Sequence, residues 1–269
     1  MISLYNSDCL EQMQSIEPCS IDMILCDLPY GTTACPWDTI IPFDKLWEQY
    51  NRIIKDKSAI VLFGSQPFTS KLILSNLEMF KYEIIWEKSR GSNFMHSKFM
   101  PLKVHENIIV FSKSPSAYNS KSNYMNYYPQ MVKGKPYDKG TIINDAKHLT
   151  GKVKEYNGVN KSGNRYPRDV IYFSSDSDGN DRGLHPTQKP VKLLEYLINT
   201  YTKEGDLVLD NCMGSGSTGV ACKMLQRDFI GIEADEKYFE MAKDRIEMGY
   251  SNILSKNKNK KQVKQKNLF

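Results

Sequence analysis

The sequence predicts an α/β fold in which a mostly parallel sheet carries helices on both faces. Short apolar runs at 21–26, 58–63 and 206–210 are typical of strands that are buried on both faces. Segments whose apolar residues follow helical spacing lie between them, as at 43–54 and 191–202. Strands that alternate with helices in this way indicate βαβ units, and βαβ units build parallel sheets.

The other predicted elements are a strand at 3–6, helices at 9–15 and 67–77, strands at 82–86 and 107–111, a helix at 218–225, a strand at 228–233 and a helix at 236–248. A chain of 269 residues is long enough to bury a substantial core. No apolar stretch has the length that spans a bilayer, and the N-terminus lacks the pattern of a signal peptide. We therefore expect a cytoplasmic protein with no membrane partner.

Composition divides the chain into four parts. Residues 1–111 and 184–250 carry the predicted strands and helices, whereas 112–183 contain twelve basic and seven acidic residues, many tyrosines and little apolar periodicity. Such a segment fits either a nucleic-acid contact lobe or an ordinary polar insertion. Residues 251–269 hold six lysines and no acid, and without them 30 basic residues face 31 acidic ones. This tail is expected to be disordered, with non-specific attraction to phosphate.

The six cysteines give no sign of a metal site. They are Cys9, Cys19, Cys26, Cys35, Cys212 and Cys222, and no two of them form a CxxC pair. Zinc sites usually show paired close ligand spacings, and the four histidines are scattered along the chain. We expect reduced, mostly buried thiols and no metal.

A glycine-rich turn indicates a cofactor site. Residues 210–219 read D-N-C-M-G-S-G-S-T-G between a strand and a helix, and Glu233 ends the next strand. This G-x-G-x-x-G pattern is typical of dinucleotide binding, so a nicotinamide-dependent oxidoreductase is one alternative. However, the carboxylate of Asp210 would oppose a pyrophosphate. It suits a cationic, amino-bearing ligand better, and S-adenosylmethionine carries both an amino group and a sulfonium.

A second motif, D-L-P-Y at 27–30, directly follows the predicted strand at 21–26. Ligands of open α/β sheets bind at the carboxyl ends of the strands. A carboxylate and a backbone carbonyl can accept the two N–H groups of an exocyclic amine, and this favours a tetrahedral, more nucleophilic nitrogen. Pro29 stiffens the turn, and Tyr30 offers a ring on which a base can stack. A base in duplex DNA must first rotate out of the stack to reach such a pocket.

Together these motifs resemble the amino-methyltransferases of DNA, whose catalytic motif is [D/N/S]-P-P-[Y/F/W] and whose cofactor motif contains an aromatic-x-G-x-G turn. The catalytic motif comes first, followed by a variable segment, H-P-T-Q-K-P at 185–190 and the cofactor motif. This order is similar to that of the beta group of N6-adenine and N4-cytosine enzymes, especially the phage-type and restriction-associated adenine methyltransferases. The resemblance covers the chain to about residue 248 and includes 30–38.

The resemblance implies a Rossmann-like fold that uses S-adenosylmethionine, with a target-recognition lobe inserted at 112–183 between a catalytic half at 1–111 and a cofactor-binding half at 184–250. The predicted reaction is methyl transfer to N6 of adenine in DNA, by a bacterial or phage protein. The candidate partners are DNA, a second copy of the chain and a cognate restriction enzyme.

Two sets of site residues follow from the motifs and the resemblance. The predicted catalytic residues are Asp27, Leu28, Pro29 and Tyr30. The residues expected to contact the cofactor are Asp8, Asp27, Thr187, Lys189, Asp210, Cys212, Gly214, Ser215, Gly216 and Glu233. The resemblance places Asp8 near the cofactor adenine, Glu233 on the ribose hydroxyls, and Thr187 and Lys189 near the methionine end.

The chain departs from the family pattern at two places. Leu28 stands where the first proline is usual, and Asn211-Cys212 stands where Pro-Phe is usual. Asp27 favours adenine, because the N4-cytosine enzymes usually carry serine there. N4-cytosine methylation on the same scaffold is the main alternative function. A DNA-binding module with a decayed site is a third reading, which the intact D-L-P-Y and G-S-G motifs disfavour.

Overall fold

The computed structural model describes residues 1–32, 38–115, 123–144, 154–174 and 188–248. In chain order the elements are β1 (Ile2–Asn6), α1 (Cys9–Met13), β2 (Ile21–Cys26), α2 (Phe43–Ile53), β3 (Ile54–Gly64), α3 (Phe68–Ser75), β4 (Phe80–Ser92), a 3-10 helix (Phe94–His96), β5 (Lys103–Phe111), β6 (Val132–Lys133), β7 (Tyr137–Asn144), β8 (Lys154–Asn160), β9 (Asn164–Arg165), β10 (Val170–Tyr172), α4 (Val191–Tyr201), β11 (Leu207–Asp210), α5 (Ser217–Met224), β12 (Asp228–Glu233) and α6 (236–248).

Eight of these strands form one sheet in the order β1-β12-β11-β2-β3-β5-β4-β10. Neighbours from β1 to β3 are parallel, and β10 is parallel to β4. Strand β5 runs antiparallel to both β3 and β4. The prediction of a mostly parallel sheet is therefore confirmed. The sequence pattern could not predict the antiparallel direction of β5, because a buried apolar run looks the same in a parallel and in an antiparallel strand.

Two apolar clusters cover the two faces of the sheet, and β2 contributes to both. Met23 and Leu25 pack in one cluster with α4 and α5, whereas Ile24 and Cys26 pack in the other with α1, α2 and α3. Successive side chains of a strand point to opposite faces, so a strand between two helical layers must be apolar at every position. This explains the unbroken apolar run at the end of β2, which leads directly into Asp27.

Residues 129–168 form a separate compact unit. It contains the antiparallel pair β6–β9 and the antiparallel pair β7–β8. Cations lie over the Tyr137 ring in this unit, with the Arg165 guanidinium carbon 4.6 Å from the ring centroid and Lys139 Nζ 5.3 Å from it. The predicted insertion at 112–183 is wider than this unit, because β10 belongs to the main sheet. The role of the insertion in target recognition stays a prediction.

Several observed elements differ in length from those the sequence predicts. Strand β4 runs to Ser92, six residues beyond the predicted end at Trp86, because its pairing with β5 continues after the buried part of the strand ends. Helix α6 matches the predicted range. None of the helices within the described ranges is both long and apolar enough to cross a membrane. Thr187, Cys35, the 185–187 part of H-P-T-Q-K-P and the basic tail lie outside the described residues.

Candidate active site

A cleft of about 740 Å³ opens where β1, β12, β11, β2 and β3 end. Its wall includes the loop after β2, the glycine turn after β11 and residues of β4 and β5. Of the residues that sequence reasoning assigned, those that line the cleft are Asp8, Asp27, Leu28, Pro29, Tyr30, Lys189, Asp210, Cys212, Gly214, Ser215 and Glu233. The D-L-P-Y motif at 27–30 and the turn at 210–219, which lie 180 residues apart in the chain, thus meet in one cavity.

The first part of the cleft, which we call the glycine half, is lined by Asp8, Asp210, Gly214 and Glu233. Gly216 does not line the cleft itself but shapes the turn that carries Gly214. Gly214 N–H donates to Glu233 Oε2 at 2.8 Å, so the turn after β11 is tied to the end of β12. Gly216 is the N-cap of α5 with a φ of 75°, a conformation that L side chains rarely adopt. A Cβ at this position would lie 2.8 Å from the Cβ of Ala242 in α6. Glycine is therefore required where the turn packs against α6.

Asp210 is almost fully buried at the end of β11 and accepts hydrogen bonds from its own turn. Its Oδ2 accepts the Thr218 hydroxyl at 2.6 Å, and its Oδ1 accepts the Cys212 N–H at 3.2 Å. Burial raises the pKa of Asp210 to about 7, although these hydrogen bonds oppose the shift. The described residues show no ion pair to this carboxylate. A buried acid of this kind is ready to accept a cationic or amino-bearing ligand.

In the same half, Glu233 ends β12, and Asp8 follows the neighbouring parallel strand β1. Asp8 caps α1, because its Oδ1 accepts the N–H groups of Leu10 and Glu11 at 2.8 and 3.1 Å. Glu233 accepts the Asp235 N–H through Oε1 at 2.9 Å, and burial raises the pKa of its carboxyl above the ordinary value. A carboxylate has about four acceptor sites. Both acids therefore keep acceptor capacity towards the cleft after these backbone hydrogen bonds are made.

The D-L-P-Y loop occupies the centre of the cleft. The Tyr30 hydroxyl donates to Asp27 Oδ1 at 2.7 Å, and the Tyr30 ring stacks on Phe68 with centroids 4.9 Å apart. Burial, together with the neighbouring Asp27 carboxylate, raises the pKa of Tyr30 well above its ordinary value. Leu28 is buried in the core and anchors the loop. Asp38, which accepts the backbone N–H groups of Gly31 and Thr32 at 2.8 and 2.9 Å, holds its far end.

The second part of the cleft, which we call the charged half, consists of Asp27, Lys88, Glu106 and Lys189. Lys189 donates to Asp27 Oδ2 and lies 3.4 Å from Glu106 Oε2, whose other oxygen accepts from Lys88. Lys189 is only 8% exposed. Its Nζ also lies 5.0 Å from the Phe63 ring centroid. Positive and negative groups therefore alternate along this wall, from Lys88 on β4 to Asp27 after β2.

Glu106 and Lys189, the two middle charges of this row, are held in their ionised forms by their neighbours. Burial alone would raise the pKa of Glu106, but Lys189 and Lys88 outweigh burial and lower that pKa below its ordinary value. Burial alone would likewise lower the pKa of Lys189, but Asp27 and Glu106 raise it above the ordinary value. Buried charges are tolerated only when they are paired in this way. Asp27 is thus oriented by the Lys189 ammonium and the Tyr30 hydroxyl, which contact different carboxylate oxygens.

Sequence reasoning missed part of this wall. Lys88 and Glu106 lie just outside the strands predicted at 82–86 and 107–111, and Phe63, Trp86 and Asp38 were given no individual role, yet all five line the cleft. Glu106 carried a weak signal, since it is an acid directly before the buried run of β5. Two of the predicted cofactor residues, Ser215 and Cys212, also make hydrogen bonds within the protein. Arg245 of α6 donates to both the carbonyl and the hydroxyl of Ser215, and Cys212 N–H donates to Asp210.

Comparison with known proteins agrees with this geometry. Residues 21–244 match the model of the DNA methylase family N6_N4_Mtase. The chain is 29% identical over 259 residues to the type II methyltransferase M.HpaI of Haemophilus parainfluenzae, covering 91% of this chain and 74% of that protein. It is 27% identical over 258 residues to the DNA adenine methyltransferase YhdJ of Escherichia coli K12, covering 91% and 83%.

A solved structure also resembles the chain. The complex of M1.HpyAVI with SAM aligns with a TM-score of 0.58 at 25% identity, over 91% of this chain and all of that one. The family match spans both motifs of the cleft, D-L-P-Y at 27–30 and the turn at 210–219. This decides against a nicotinamide-dependent oxidoreductase, despite the G-x-G-x-x-G spacing. The chain belongs to the DNA methylase family.

Proposed function

We propose that this protein is a site-specific DNA methyltransferase that transfers a methyl group from S-adenosylmethionine to N6 of adenine. The observation that carries the proposal is the position of Asp27 and Tyr30, which share one cleft with the glycine turn and Glu233. The family match and the adenine methyltransferase named among the relatives support the same reaction. Aspartate at position 27, where serine is usual in N4-cytosine enzymes, favours adenine.

Asp27 is the residue that would hold the target amine. Its two oxygens already accept from Tyr30 and Lys189. A carboxylate keeps further lone pairs, so Asp27 can accept one N–H of the amine without losing either contact. The Leu28 carbonyl would accept the second N–H, while its side chain anchors the loop in the core. Fixed acceptors of this kind act by positioning and by preorganised electrostatics.

The glycine half is the part that fits S-adenosylmethionine. The buried Asp210 would face its cationic or amino-bearing part, and the spare acceptor capacity of Glu233 suits the ribose hydroxyls. Asp8 and Cys212 line the same half, beside Gly214 and Ser215. The bound cofactor supplies the electrophilic methyl group. Lys189 contacts Asp27 and Glu106, so we assign it to the orientation of Asp27 rather than to the methionine end of the cofactor.

The compact unit at 129–168 is our candidate for target recognition. Its Tyr137 ring with two nearby cations combines an aromatic surface with positive charge, a combination that suits nucleic acid. A bacterial or phage origin, a cytoplasmic location, a homodimer and a cognate restriction enzyme are the further parts of the proposal. The bacterial type II methyltransferases among the relatives support it.

The test is incubation of purified protein with unmethylated genomic DNA and labelled S-adenosylmethionine, followed by nucleoside analysis. N6-methyladenine is the expected product, and N4-methylcytosine would overturn the assignment of the base. Asp27→Ala should abolish transfer while the cofactor still raises the thermal midpoint, because the glycine half is untouched. Asp44→Asn, at an exposed position at the start of α2, is the matched control and should keep activity. Activity retained in Asp27→Ala would contradict the assigned role.

A further inference from the structure

The hairpin between β4 and β5 ends in an exposed apolar tip, which we define as residues 93–102. Phe94 is 76% exposed, Met95 78% and Phe99 83%. Large apolar side chains are normally buried, and a cluster of them on a surface usually marks an interaction site.

The tip is ordered by its own backbone rather than being a loose loop. Asn93 adopts a left-handed conformation with a φ of 65°, and the 3-10 helix Phe94–His96 follows it. His96 N–H donates to the backbone carbonyl of Asn93 at 2.9 Å, and the carbonyl of His96 accepts the N–H groups of Phe99 and Met100 at 2.8 and 3.0 Å. The apolar side chains are therefore presented on a preorganised backbone, which lowers the entropic cost of inserting them into a partner.

The charge of the hairpin indicates an anionic partner. No acidic residue occurs between Glu87 and Glu106, and this stretch holds Lys88, Arg90, Lys98 and Lys103 together with two histidines. Lys88 is committed to Glu106, and Lys103 donates to Ser65. Positive charge interleaved with exposed aromatic side chains is typical of surfaces that contact nucleic acid.

The two strands that form the hairpin also form part of the cleft wall. Trp86 and Lys88 of β4 and Glu106 of β5 all line the cleft, and Trp86 pairs with Glu106 in the ladder. Phe94 is six residues beyond Lys88, which is at most about 20 Å of extended chain. The major groove of DNA is about 12 Å wide. The tip is therefore within reach of a duplex from which one base occupies the cleft.

We propose that the tip is a DNA-contacting wedge, which places Phe94, Met95 and Phe99 against the bases exposed when the target nucleotide leaves the stack. The proposal rests on the proposed function above. Extrusion of a base costs a few kcal/mol of pairing and stacking. Apolar side chains that enter an opened base step recover part of this cost, and the basic residues beside them contact phosphates.

The test compares two duplexes that contain a methylation site mapped with the wild-type protein. One is fully paired, and in the other the target adenine faces a mismatch, so that extrusion is easier. Phe94→Ala/Phe99→Ala is the test variant. Leu74→Ala/Leu77→Ala is the matched control, because these two leucines are also exposed, at 69% and 59%. They lie near the start of β4, at the end of the strands that is opposite the cleft.

We expect the test variant to lower kcat/KM on the paired duplex by about tenfold and on the mismatched duplex by less than about threefold, since less extrusion cost remains to be recovered. The control should act on both duplexes as the wild type does. Unchanged activity on the paired duplex would overturn the proposal. An equal loss on both duplexes would also overturn it. If that equal loss came with a change in sedimentation, the tip would be identified as a contact between two copies of the chain. Absence of any methylation by the wild type would instead overturn the proposed function.

Discussion

The two halves of the cleft are held together in different ways. In the glycine half, backbone N–H groups hold the acidic side chains in place. The N–H groups of Gly214 and Asp235, for example, both donate to the carboxylate of Glu233. In the charged half, side chains hold one another, because Lys88, Glu106, Lys189 and Asp27 alternate in sign along the wall. The first half depends on the path of the chain, and the second on matched buried charges.

This difference leads to different sensitivities. Hydrogen bonds from the backbone survive most changes of side chain, except where a Cβ does not fit. Few single substitutions should therefore disrupt the glycine half. A buried charge network is vulnerable at every member, since removal of one partner leaves another charge uncompensated. Substitutions in one half should therefore leave the other half functional.

Glu106→Gln should have the largest effect of the three. Glu106 is the carboxylate between the half-buried Lys88 and the buried Lys189, so its neutralisation leaves Lys88 without an ion pair and Lys189 with Asp27 alone. We expect a loss of about 3 kcal/mol in the free energy of unfolding, measured with urea, and a large loss of methyl transfer. Glu87→Gln, at an exposed neighbouring position on β4, should change stability by less than about 0.5 kcal/mol.

The pH dependence of stability provides a second measurement on the same variant. The folded pKa of Glu106 is lowered, so its contribution is present above the unfolded value of about 4.3 and is lost as the pH falls through the folded value. The stability difference between the wild type and Glu106→Gln should therefore shrink below about pH 4. Cofactor affinity should be unchanged at neutral pH. If Glu106→Gln also loses cofactor binding while still folded, the two halves are not separable.

The sequence revealed the glycine half more fully than the charged half, for a physical reason. The turn at 210–219 is local, and its glycines and strand-end acids are readable without knowledge of the fold. The order of the strands was needed to place Glu106 beside Lys189, because they lie 83 residues apart and β5 runs antiparallel. The reversal of β5 places the beginning of that strand, and hence Glu106, at the edge where β2 ends.

Gly216→Ala should have the next largest effect, and it tests the glycine half. Gly205 provides a matched control, because both glycines have a positive φ, 75° and 81°, but a Cβ at Gly205 would meet nothing within 4 Å. Gly205→Ala should cost about 1 kcal/mol from backbone strain alone. Gly216→Ala adds the contact with Ala242 and should cost about 2 kcal/mol or more, with weaker cofactor binding. Equal urea midpoints and equal cofactor affinities in the two variants would contradict a packing role for Gly216.

The smallest predicted effect is the pH dependence of cofactor binding that the protonation of Asp210 causes. Because burial raises the folded pKa of Asp210 to about 7 while the unfolded value is about 3.9, its protonated form is favoured below neutral pH. A ligand whose positive part faces Asp210 binds the carboxylate, so cofactor binding should release a proton near neutral pH. If only the carboxylate form binds, affinity should fall about tenfold between pH 8 and pH 6. Titration calorimetry in buffers of different ionisation enthalpy measures both the affinity and the proton release.

Asp210→Asn isolates this contribution. The variant can still accept from Thr218, and it has no titrating group at this position. Its affinity should be lower than that of the wild type at pH 8 and nearly flat towards pH 6, with no proton released. The free energy of unfolding of the ligand-free wild type should fall as the pH rises from about 4 to 7, since the unfolded chain ionises this carboxyl more easily, and Asp210→Asn should lack this slope. A wild-type affinity independent of pH would mean that the cofactor's positive part lies away from Asp210, and the glycine half would then hold its ligand through backbone groups and Glu233 alone.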